Sequence, residues 1–152
     1  MMKRRKIERG QSLIEFAVGG VILLILLVGI VDLGHAFFTY IALRDAAQEG
    51  AVYGSICPRD ASAIEARVRS SSNTPVDLQN DPHIIVQCHY ITSGGETACG
   101  GTVPAAGNGI RVRVIYNNFP ITMPFLGTFI GTQSLTLRAE VVDTILRNVS
   151  CP

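Results

Sequence analysis

Read from the N-terminus, the chain passes through three regimes of hydrophobic pattern. From Leu13 to Val31 it is almost continuously apolar, with three glycines and one charge, Glu15; the 16 residues between Glu15 and Asp32 carry none. A spanning helix needs about 20 apolar residues at about 1.5 Å each, so this run is long enough to cross a bilayer. Beyond it, Leu33, Phe37, Tyr40, Ala47, Ala51 and Gly54 recur at three, four or seven residues, which predicts one face of a continuing helix. Asp32, Asp45 and Glu49 fall off that face. Ala46, Ala47, Gly50 and Ala51 are small enough for close packing, against the protein's own sheet or against another subunit. Helix signals fail at Gly54-Ser55, and Cys57-Pro58 marks a boundary.

The third regime is mixed. Ser62-Ala-Ile-Glu65 reads as a capping box for a short helix with Ala61, Ile64 and Val68 inward, fading at Ser70–Asn73 and stopped by Pro75. Three segments then alternate with period two. Ile84, Val86, Cys88 and Tyr90 share a face. So do Ile110, Val112, Val114 and Tyr116, opposite Arg111 and Arg113. Leu135, Leu137, Ala139 and Val141 do the same opposite Arg138 and Glu140. This predicts an antiparallel sheet of about three strands covered by the long helix. The fold class is α+β: a long N-terminal transmembrane helix running into an extracytoplasmic domain with a second short helix. Residues 114–137 are uncharged, but Asn117, Asn118, Pro120, Pro124, Gly127 and Gly131 make a second spanning helix poor. Residues 119–131 read instead as an apolar loop that tucks under the body, touches the membrane surface or meets a partner.

Charge sharpens this picture. The chain has 152 residues, 47% apolar and 16% charged, with a net charge of +1. Such low polarity excludes a disordered chain, and the lack of excess base excludes nucleic-acid binding by bulk charge. The +1 is unevenly spread. Lys3, Arg4, Arg5, Lys6 and Arg9 against Glu8 give residues 1–9 a net +4, whereas seven arginines balance seven carboxylates from Ser55 onward. A basic head before an apolar run predicts a cytoplasmic N-terminus and an extracytoplasmic body beyond about residue 40. A cleaved signal peptide is the alternative. Its apolar region would be about 7–15 residues with a small-x-small site after it; here the run is longer, and Val28-Gly29-Ile30 and Leu33-Gly34-His35-Ala36 are weak sites.

Glu15 is the exception within the run. A carboxylate costs about 2.5–3.5 kcal/mol at the centre of a spanning helix and less near its edge. It sits either at headgroup level or beside a partner. The surrounding Arg9-Gly10-Gln11-Ser12-Leu13-Ile14-Glu15-Phe16 resembles a type IV prepilin processing site, in which a membrane peptidase cuts after Gly and the fifth mature residue, Glu, serves assembly. Arg9-Gly10-Gln11, Glu15-Phe16, Gly29–Gly34 and Arg44–Ala51 together resemble the N-terminal segment of TadE-like proteins of tight-adherence (Flp-type) pilus systems. The resemblance covers about 45 residues.

It implies a pseudopilin or minor pilin cut between Gly10 and Gln11, with Glu15 and Phe16 as assembly residues. It further implies three parts: a leader at 1–10, a long helix at 11–54 and a domain at 55–152. The implied partners are a prepilin peptidase, other Tad components, pilin subunits and the lipid bilayer. The implied setting is the bacterial cytoplasmic membrane or the pilus, and the implied role is adhesion and biofilm formation. The first mature residue would be Gln11, not the Phe of many type IV pilins, so N-methylation is not carried over. A signal-anchored extracytoplasmic binding domain unrelated to pili is the competing expectation.

All four cysteines, Cys57, Cys88, Cys99 and Cys151, fall on the extracytoplasmic side. Four cysteines allow three connectivities. Cys88 with Cys99 is the local choice, closing the Gly-rich loop for about 3 kcal/mol in the chain-entropy model. Cys57 with Cys151 would then tie the C-terminus to the end of the long helix. A metal site from Cys88, His89, Cys99 and His83 is the rival, without the paired C-x2-C form of zinc sites. Catalytic signals are lacking. His35, His83 and His89 are the only histidines, and no G-x-S-x-G, H-E-x-x-H or Walker sequence occurs. Gly94-Gly95 and Gly100-Gly101 open no helix and make no phosphate cradle. Asn108-Gly109 reads as a turn, and Asn148-Val-Ser150 matches a glycosylation triplet. No enzyme activity, cofactor, metal, nucleic acid or small-molecule substrate is expected.

Overall fold

The computed structural model describes residues 5–123, 131–147 and 151, with side chains from Gly10 onward. Helix α1 spans Arg5–Ile56 without a break. Its length follows from composition: the first proline is Pro58, and the helix ends two residues before it. It is long and apolar enough to cross a membrane, and that part is covered by no other element. Among the described residues, α1 meets the rest of the protein from Gly29 upward.

There the buried face is Thr39, Ala42, Leu43, Ala46, Ala47, Gly50, Ala51 and Gly54. This corrects the predicted stripe at its lower end. Leu33, Phe37 and Tyr40 are exposed at 71%, 59% and 42%. The large side chains that repeat with Ala47 and Ala51 lie beside the contact face, because the sheet approaches over the small residues. Gly50 and Gly54 show how close it comes. A Cβ at Gly50 would stand 2.4 Å from Val68 Cγ2, and one at Gly54 2.6 Å from Ile110 Cδ1.

Helix α2, Ala61–Ser70, places Ile64 and Val68 against α1. Its N-cap is Asp60, not Ser62. The Ala63 amide donates to the Asp60 carboxylate at 2.9 Å, and the Ser62 hydroxyl donates to the same oxygen at 2.7 Å. Glu65 pairs with Arg69 at 2.8 Å rather than closing a capping box. A carboxylate at the first turn takes up the orphan amide and meets the positive helix end. Those hydrogen bonds, the Ala63 amide first, hold the Asp60 carboxyl below its ordinary range.

The sheet has four antiparallel strands in the order β2-β1-β3-β4: β1 Ile84–Thr92, β2 Gly95–Ala98, β3 Gly109–Pro120 and β4 Ser134–Thr144. The added strand, β2, lies in the stretch read as a Gly-rich loop. It carried no alternation because all four of its residues are exposed. Ile84, Tyr90, Ile110, Val112, Val114 and Ala139 point to α1 and α2, while Leu137 and Val141 are partly buried. Leu135 is 38% exposed, since β4 has passed the edge of the core there. On the outer face, the register sets Arg113 opposite Glu140, and their side chains pair at 2.8 Å. That contact, led by the Arg113 hydrogen bond, holds the Glu140 carboxyl below its usual range.

Sheet and helix run down together. Ile110 lies at Gly54 and Val112 at Gly50, and the rings of Phe119 and His35 are 5.2 Å apart. From Ile110 to Phe119 a strand covers about 30 Å. From Gly54 to His35 a helix covers about 29 Å. A register shift between Tyr116 and Phe119, with Asn118 at φ 68°, turns Phe119 inward, where it is 2% exposed. Simple alternation from Tyr116 would have placed it outward.

Candidate assembly and anchoring site

The residues expected to act in processing and assembly lie on the free part of α1. Gly10, Gln11, Glu15 and Phe16 occupy about two turns, and all are exposed. A Cβ at Gly10 would meet nothing within 4 Å, so no packing within the chain calls for glycine there. The Gln11 carboxamide donates to the Glu15 carboxylate at 3.3 Å, the spacing that an i,i+4 pair allows. Phe16 is 82% exposed. Among the described residues no hydrogen bond or ion pair joins them to the folded body.

The cysteines form a separate group. Cys57 is bonded to Cys151 and Cys88 to Cys99, with Cα separations of 5.5 and 5.3 Å, both ordinary for a disulfide. The first bond joins the end of α1 to the C-terminal residues. Beside it the Leu146 amide donates to the Ser55 carbonyl at 2.9 Å. The second closes the β1–β2 end, where the Cys99 amide donates to the Cys88 carbonyl at 3.0 Å. Bonded in this way, Cys88 and Cys99 offer no thiolate to a metal. Among the described residues no group of three His, Cys, Asp or Glu side chains is placed to hold one.

Asp32 has a role that its sequence position concealed. Its carboxylate accepts the Met123 amide at 2.6 Å and the Thr122 amide at 2.9 Å, and it also accepts the Thr122 hydroxyl. Three donors from the segment after β3 therefore converge on one carboxylate of α1. One turn below, Met123 lies against Gly29, where a Cβ would come within 3.2 Å of its sulfur. One turn above is the His35–Phe119 contact, and Tyr116 packs edge-on against Phe119 at 5.9 Å. Burial, and then a hydrogen bond to Asp81, push the Tyr116 phenol above its ordinary range. The only advance signal for this clamp was a carboxylate in an apolar helix and an uncharged segment ninety residues later. Of the apolar loop, residues 124–130 lie outside the described residues, as does the triplet at 148–150.

Residues 10–52 match a family model described as TadE-like protein. Over this stretch the long helix is similar to that family. The match begins at Gly10, takes in Glu15, Asp32 and the glycine at position 50, and stops short of α2 and the sheet. No curated protein and no solved structure matches the chain. The apolar length of the matched helix fits a membrane anchor.

Proposed function

We propose that this protein is a pseudopilin or minor pilin of a tight-adherence pilus machine. In this reading a prepilin peptidase removes residues 1–10 at the cytoplasmic face of the inner membrane, leaving Gln11 as the first residue. The body beyond α1 lies outside the membrane. The mature subunit engages other Tad components and pilin subunits, and supports adhesion and biofilm formation. Its task is structural rather than enzymatic.

The observation that carries this is the TadE-like match over a helix whose first described turns leave Gly10, Gln11 and Glu15 exposed. Cleavage at Gly10 would create an α-amine at a helix end in an apolar setting, where an unpaired charge is costly. Glu15 of a neighbouring subunit would neutralise it. The Gln11–Glu15 hydrogen bond is long and exposed, so it leaves the carboxylate accessible to that amine.

Mass spectrometry of the protein from cells with active peptidase should find a mature N-terminus at Gln11; an intact leader would refute the processing. Glu15→Val should still be cut but should lower piliation severalfold. Normal piliation in that variant would remove the role given to Glu15.

A further inference from the structure

We propose that the segment directly after β3, residues 121–123, is seated in the outer interfacial layer of the lipid bilayer. The domain would therefore rest on the membrane instead of standing above it on a bare helix. The proposal rests on α1 crossing the bilayer.

The first support is depth. Met123 packs on Gly29, and Gly29 belongs to the run from Phe16 to Val31 that carries no charge. Gly29 lies 18 residues above Gln11, about 27 Å along a helix. A hydrocarbon core is about 30 Å thick, so Gly29 falls at its outer edge when Gln11 marks the inner one. At this level the helix surface is apolar and open: Ile30, Val31 and Leu33 are 71%, 61% and 71% exposed. Met123, packed on the helix at this level, is itself only half-buried.

The second support is the polar accounting. A non-helical segment near the hydrocarbon must have its backbone donors satisfied within the protein. Here they are. The Ile121 amide donates to the Gln133 carbonyl at 3.0 Å, and the Thr122 and Met123 amides both donate to Asp32. The reverse also holds. A carboxylate at the edge of a membrane helix is costly unless partnered, and Asp32 has three donors. In sequence, the stretch from Val114 to Leu137 on either side of this segment carries no charge. Together these features fit a lipid surface, because the backbone donors of residues 121–123 and the Asp32 carboxylate are paired within the chain.

The chain contains no tryptophan, so one introduced indole reports alone. The full chain would be reconstituted in phosphatidylcholine–phosphatidylglycerol nanodiscs whose acyl chains are brominated either near the headgroup or near the chain end. Met123→Trp and Ile121→Trp are the reporters. Ile85→Trp on the outer sheet face serves as a water-exposed control, and Leu23→Trp reports the anchor. Circular dichroism and retained disulfides check folding of each variant. Both reporters should be quenched at least twofold, more strongly by bromine near the headgroup, while Ile85→Trp is not quenched. Unquenched reporters beside a quenched Leu23→Trp would overturn the seating and leave the anchor intact. Blue-shifted but unquenched reporters would mean a protein neighbour and would overturn it equally. An unquenched Leu23→Trp would bring down the anchor itself.

Discussion

At the scale of single residues, two glycines and one carboxylate decide how α1 is used. Gly50 and Gly54 let Val68 and Ile110 reach the helix backbone. Enlarging either position overfills the contact, at a cost of about 1–3 kcal/mol. Gly50→Leu should therefore lower the thermal midpoint by several degrees, and adding Val68→Ala should restore part of the loss. Asp32 acts in the opposite sense, by attracting chain instead of admitting it. Asp32→Ala removes charged hydrogen bonds worth about 1.5 kcal/mol or more each. Hydrogen exchange at the Thr122 and Met123 amides should accelerate by about tenfold or more, with the sheet's interior amides unchanged.

Three carboxylates, Asp60, Asp77 and Glu140, also give the body a pH dependence of fixed sign. All three are held below their ordinary range, Asp60 by the cap, Asp77 by Asn80 and Glu140 by Arg113. A carboxyl with a depressed folded-state value adds stability above its unfolded value and loses it as pH falls through the folded one. Denaturation midpoints should thus fall as the medium is acidified below about pH 4, the ordinary carboxylate range. Glu140→Gln combined with Asp60→Asn should flatten part of that fall.

At the scale of elements, the two disulfides differ in what they hold. Cys57–Cys151 closes a separation of 94 residues and Cys88–Cys99 one of 11. In the chain-entropy model these correspond to about 4.7 and about 3 kcal/mol. Replacing Cys57 and Cys151 by Ala should lower stability more than replacing Cys88 and Cys99, as read from urea midpoints. The strands were legible where a face is buried. Ile110, Val112 and Val114 alternate against Arg111 and Arg113, and they form the centre of the core. β2 was not legible, because it buries neither face; its backbone pairs with β1, and its Glu96 carboxylate meets Arg111 of β3. The cap of α2 was misplaced by two residues because Asp60 and Ser62 are both good caps. Only the packing of Ile64 and Val68 selects between them.

At the scale of the whole molecule, the chain separates into a bare apolar helix and a small stapled body joined along the helix's upper half. That division was readable in advance. The length of the uncharged run, the +4 head, the cysteines confined to residues beyond 56 and the period-two strands are all properties of local composition and spacing. Each acts through neighbours within a few residues, or through bulk solvent, so one chain suffices to read it. What only the tertiary structure decided involves partners far apart in the chain. The sheet chose the small-residue face of α1 over Leu33, Phe37 and Tyr40. The bulge turned Phe119 toward His35. The segment after β3 came to Asp32 from ninety residues away. Spacing cannot announce these contacts, because their energy depends on which surfaces the fold brings within bonding distance. Glu15 drew attention by its local context, yet it is Asp32, at the end of the apolar run, that holds the segment after β3.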